Sequence, residues 1–260
     1  MTSVTLGRLS TDQKGACRCS LTHGLIVCAL AKEQTAATAI LDVEYKNDLP
    51  IPQDHYNTYT RGSIKKHNIK MLRTFPSIRF SLMVGIGGGI PNILDYNVRL
   101  GDVVLSVPQD TYTVSKLSTR HKMRGPWIPA YLDQMAKKWP LLAPKYLRSP
   151  TLKDTLIRDE LNDKLSGNVL CIEMEAAGLM CNFPYLIIRG ICDYADSYKN
   201  KRWQEHAAAV AAAYVKELLE EVQPAAVNRE RAARDIPELK TTLNKSKPQS
   251  LELPSYTTLV

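Results

Sequence analysis

The chain has 260 residues, 44% of them apolar and 23% charged, with a formal net charge of +8. That length buries a sizeable core, and no apolar run approaches the roughly 18 to 20 residues that span a bilayer, which excludes a membrane-spanning helix as the organising element. Residues Met1 to Lys14 are polar and lack the apolar centre of a secretory leader, so a cytoplasmic protein is expected.

Residues 1 to 22 read as an irregular, flexible segment, residues 23 to 222 as the main domain, and residues 223 to 260 as a polar, proline-containing disordered tail. The run from Leu25 to Leu30 suits a buried strand, and Ala31 to Val43 carries helical spacing without Gly or Pro. Two prolines mark Asn47 to Gln53 as a loop, and Thr58 to Lys70 alternates like a hairpin turning near Gly62 or at Lys66 to Asn68. Phe80 to Val84 is a second buried strand running into Gly85, Gly87, Gly88 and Gly89, and Asp102 to Ser106 is a third.

From 107 to 150, Pro108, Pro126, Pro129, Pro140, Pro144 and Pro150 interrupt any long element, so loops with one or two short helices are expected. Regular patterning returns as a helix at Lys153 to Leu165, a strand at Val169 to Ile172, a helix at Glu175 to Cys181, a strand at Tyr185 to Ile188 and a long alanine-rich helix at Trp203 to Val222. This rhythm predicts an α/β architecture, a sheet covered by helices. The basic pairs Lys65-Lys66 and Lys137-Lys138 and the run from Lys199 to Arg202 are dispersed, without an aromatic signature for RNA. Most of the charge is read as solvated surface able to attract an anionic ligand, and neither a nucleic-acid nor a membrane partner is expected.

Three places carry candidate chemistry. Glycines at 85, 87 and 88 let backbone approach a ligand, or serve only as a tight turn. Glu173, Met174 and Glu175 stand at the carboxyl end of a strand, where ligands bind in α/β sheets, or form an acidic helix start. Asp193 follows the strand at Tyr185 to Ile188, where an acid can protonate a leaving group or merely cap a turn.

Together VGIGGGIP at 84–91, RLGDVV at 99–104, EMEAA at 173–177 and RGICDYAD at 189–196 resemble, in order, the nucleoside phosphorylase and nucleosidase family, in the type that precedes NLR-like and ankyrin-repeat proteins of fungi. The resemblance covers about residues 23 to 222. It implies a three-layer phosphorylase/hydrolase-like fold with a mixed central sheet, and a domain that binds a purine nucleoside or nucleotide and cleaves its N-glycosidic bond. It further implies that Glu175 holds the ribose hydroxyls with Met174 against the sugar, that Asp193 protonates or hydrogen-bonds purine N7, that Glu33 activates water, and that Gly85, Gly87 and Gly88 form the loop beside sugar and nucleophile. No metal or cofactor is expected, phosphate is a candidate co-substrate, and a homo-oligomer is implied.

Two stretches depart from the family's pattern. Only Met71 to Arg73 stand where a further strand and helix are expected, and Val107 to Pro150 is short where purine-stacking residues are usual, so a shortened fold is predicted. Ile86 replaces a small polar residue of the hydrolytic relatives. The alternative reading is a catalytically impaired ligand-binding or oligomerising module.

Overall fold

The computed structural model describes residues 2–6, 9–11, 17–19, 24–45, 59–69, 79–91, 97–106, 112–148, 169–173, 185–195, 201–229 and 258–259. Met174 and Glu175 lie outside these, as do the expected helices at 153–165 and 175–181.

The predicted mixed sheet flanked by helices is present. Strands β1 (Thr2–Leu6), β4 (Gly24–Cys28), β5 (Val43–Glu44), β6 (Tyr59–Ile64), β7 (His67–Ile69), β8 (Phe80–Gly89), β9 (Val103–Ser106), β10 (Cys171–Ile172), β11 (Tyr185–Asp193) and β12 (Thr258–Leu259) join in one sheet, while β2 (Leu9–Thr11) and β3 (Cys17–Cys19) form a separate pair. At the centre, β4, β8 and β11 run parallel, and β9 pairs antiparallel with β11. These central strands are the continuous apolar runs that burial on both faces demands. The hairpin of β6 and β7 turns at Lys65, in the left-handed region at φ 53°. Residues 1–22, expected to be irregular, instead supply β1, which pairs with β4 and β6. In the expected disordered tail, Thr258–Leu259 pairs with β9.

The glycine segment, expected as a loop, continues β8 to Gly89. Helix α1 (Ala31–Ala39) follows β4, and the long helix α5 (Gln204–Glu221) packs on β8, β11 and α1. Contact between α5 and the sheet is backbone to backbone: a Cβ at Gly190 would fall 2.0 Å from the Ala207 carbonyl oxygen.

The stretch 107–150 corrects the expectation of loops and short helices. It forms α2 (Tyr112–Arg124), α3 (Ile128–Lys138) and α4 (Ala143–Tyr146), and all three pack on α5. Pro129 and Pro144 sit in the first turns of α3 and α4, where a missing N–H costs nothing. They start helices rather than break them. A short helix, α6 (Pro224–Arg229), follows α5.

Enclosed between sheet and outer helices, α5 is buried at every position from His206 to Leu219, including Lys216 and Glu217. Buried charges need partners, and these bind the layers together. Glu217 accepts from Arg120 Nη2 at 2.6 Å and from the Trp127 N–H at 2.8 Å, Lys216 pairs with Asp42 at 2.6 Å, and the Tyr131 hydroxyl donates to Glu220. No described helix is long and apolar enough to cross a membrane.

Candidate functional site

Of the candidate residues, the described ones, Glu33, Gly85, Gly87, Gly88 and Asp193, lie along the second half of β8 and the end of β11. Strand β4 is registered to β8 as far as Val27 opposite Met83, after which the chain turns into α1. Beyond that point the edge of β8 needs another acceptor, and Glu33 supplies it. Its Oε1 accepts the Ile86 N–H at 2.8 Å, while Oε2 reaches back to the N–H groups of Ala29 and Leu30, both at 2.9 Å. The last two donors belong to the start of α1, so the side chain also caps its own helix. Glu33 is 2% exposed. Burial raises its carboxyl above the ordinary value, opposed by the N–H groups of Leu30 and Ile86, the Arg189 charge and the Ala29 N–H.

Arg189, on β11 opposite Gly85, is fully buried and donates from Nη2 to Glu173 Oε2 at 2.5 Å. A Cβ at Gly85 would lie 2.2 Å from Arg189 Nη1 and 2.4 Å from Glu33 Oε1. Glycine at 85 is therefore the space into which cation and carboxylate converge. Gly87 does the same for Cys171, whose Sγ would be 2.4 Å from its Cβ. The neighbouring Cys28 thiol is raised well above its ordinary value, first by burial and then by the Glu33 charge.

Asp193 is delivered differently. The ladder between β11 and β8 shifts register between Ile191 and Asp193, so that Ile191 faces Gly87 but Asp193 faces Gly88. Side chains alternate along β8, so Gly85 and Gly87 open toward Arg189 and Cys171 while Gly88 opens to the other side. The bulge brings Asp193 there, with Oδ1 2.9 Å from a Cβ built at Gly88. That oxygen accepts the Ala195 N–H at 2.9 Å, holding Ala195 in the left-handed region at φ 56°, and Oδ2 lies 3.5 Å from Cys192 Sγ. Asp193 is 9% exposed.

Glu33 thus shares Gly85 with Arg189, which is itself bonded to Glu173, and Asp193 shares Gly88 with Ala195. The described bonds do not join the two acids, and a ligand touching both has to straddle the end of β8. Sequence reasoning singled out Asp193, Glu33 and the glycines but gave Arg189 no role. The signal was available: an arginine between Ile187, Ile188 and Ile191 in an apolar strand needs a buried partner.

No family model matches the chain. A nucleotide-binding leucine-rich repeat (NLR)-like protein of Hyaloscypha variabilis is 31% identical over 304 aligned positions, covering 79% of this chain and 30% of that protein. The chain thus spans about a third of that relative's length. Because 304 positions take up 79% of 260 residues, about a hundred of them have no counterpart here, in keeping with a shortened domain.

Among solved structures, similarity is found to the 5'-methylthioadenosine/S-adenosylhomocysteine nucleosidases of Helicobacter pylori (15% identity, 78% of this chain and 99% of that one, TM-score 0.44) and S. pneumoniae (15%, 78% and 100%, TM-score 0.47). The futalosine hydrolase of Helicobacter pylori is similar at 12% identity, 78% and 98% coverage and a TM-score of 0.42. At such values these likenesses assign no role to any residue of this chain.

Proposed function

We propose that the chain is a nucleoside phosphorylase-like domain that binds a purine nucleoside or nucleotide at the carboxyl ends of β8 and β11 and cleaves its N-glycosidic bond. The observation that carries this reading is the placement of Asp193. A bulge turns its carboxylate to the Ala195 side of Gly88, where one backbone N–H and one thiol occupy only about half of its acceptor positions. An oxygen left free there, when it carries a proton, donates it to a purine ring nitrogen as negative charge develops on the departing base. In this reading Glu175 holds the ribose hydroxyls and Met174 packs on the sugar, as the sequence resemblance implies. Water or phosphate captures the sugar, and no metal or cofactor is invoked.

One observation favours a second reading, binding without cleavage. Activating water needs a carboxylate with acceptor capacity to spare, but Glu33 is held by three backbone N–H groups. Ile86 beside it has no polar side chain to orient a nucleophile. Incubating the protein with purine nucleosides and nucleotides, with and without phosphate, separates the two. Free base released above an Asp193→Asn control supports cleavage. Calorimetric binding without release supports the second reading, and neither binding nor release defeats both.

A further inference from the structure

The charge of the chain is concentrated in one place. Between Tyr112 and Arg148 stand eight lysines and arginines against the single Asp133, a net +7 out of the chain's +8. This is the segment of α2, α3 and α4, the layer that covers α5 and turns its other side to solvent. Arg120 is spent on Glu217, Lys116 on Glu221 and Lys138 on the Leu41 carbonyl. Lys122, Arg124, Lys137 and Lys145 are exposed and enter none of the ion pairs among the described residues.

The same surface exposes large apolar side chains. Val114 and Leu117 of α2 face inward, so its outward line runs Tyr112, Lys116, Thr119 and Met123, flanked by Lys122. On this line Tyr112 is 80% and Met123 76% exposed. A merely solvated basic face has no need of these residues.

We infer that the outward face of α2, with Met123 on its line and Lys122 and Arg124 flanking it in the C-terminal turn, docks on an anionic phospholipid surface. Lysine and arginine are drawn to the negative headgroups, and the neighbouring apolar side chains enter the boundary between headgroup and acyl chain. The sequence expectation of no membrane partner rested on the lack of a spanning run, and lying on a surface requires none. Single-stranded nucleic acid fits less well, because it is held by stacking on aromatic rings. Here the Arg120 guanidinium already covers the Trp127 ring, 4.0 Å from its centroid, which leaves Tyr112 as the one exposed ring on α2, and a single ring is no stacking platform.

The test is co-sedimentation of the full chain with vesicles of phosphatidylcholine alone and of phosphatidylcholine with about a third phosphatidylserine. The expected result is retention on the phosphatidylserine vesicles only, weakening as salt is raised. Removing a charge with Lys122→Gln or Arg124→Gln lowers the partition coefficient roughly fivefold each, and Met123→Ser about tenfold. Thermal melts matching the parent protein establish that these exposed substitutions leave the fold intact. Equal retention on both vesicle types, no retention on either, or variants that partition like the parent would overturn the inference. A single-stranded RNA oligonucleotide bound more tightly than the anionic vesicles would assign the surface to nucleic acid instead.

Discussion

Gly85 and Gly88 lie three residues apart on one strand, yet the acids beside them are held in opposite ways. At Gly85, Glu33 is locked by three backbone donors and accompanied by a buried arginine, as a group that completes the structure would be. At Gly88, Asp193 holds one neighbouring N–H and keeps acceptor capacity. An acid in a candidate site has to be judged by what its oxygens already do, and by that measure the upstream acid serves the scaffold while the downstream acid keeps oxygen positions that the proposed chemistry would use.

The sharpest way to break this comparison is to fill the two glycines. Gly85→Ala drives a methyl group into Arg189 and Glu33 and should cost about 3 kcal/mol or more in urea unfolding. Gly88→Ala meets Ala195 and Asp193 only at 2.9 Å and should cost about 1 kcal/mol while weakening nucleoside binding. Equal losses would remove the distinction. Next comes Glu33→Ala, which strands three N–H groups and should cost about 3 kcal/mol, whereas Asp193→Asn should cost about 1 kcal/mol yet abolish release of base.

A smaller effect appears with pH. Because burial raises the Glu33 carboxyl, its contribution to stability is complete below the ordinary value of 4.5 and fades as pH rises through the folded value. The stability gap between the parent protein and Glu33→Gln should therefore narrow on going from acid to neutral pH. A gap that widens would mean that the N–H groups outweigh burial. The smallest effect is expected of Lys116→Ala. It removes an exposed partner of Glu221 and should leave the melting temperature unchanged, separating surface charge from the buried acids.

Legibility in the sequence followed burial. β4, α1, β8, β9, β11 and α5 could be read because each is an apolar run or a helical stripe fixed by the core. The helices between 112 and 146 could not, because Pro129 and Pro144 look alike whether they break a helix or begin one. In the site, Asp193 and the glycines were marked by their place after apolar strands. The register shift that turns Asp193 toward Gly88 left no mark, because a bulge depends on the partner strand. Arg189 was overlooked because its partner Glu173 lies in a different strand-end segment, and pairing between distant residues is a property of the fold.

The enclosure of α5 sets the timetable of folding. Strands β8, β9 and β11 and helices α1 to α4 leave the ribosome before it, and each of them packs against it. The nascent chain therefore waits, with its interior open, for the last large piece to be translated, and it is a natural client for chaperones until then.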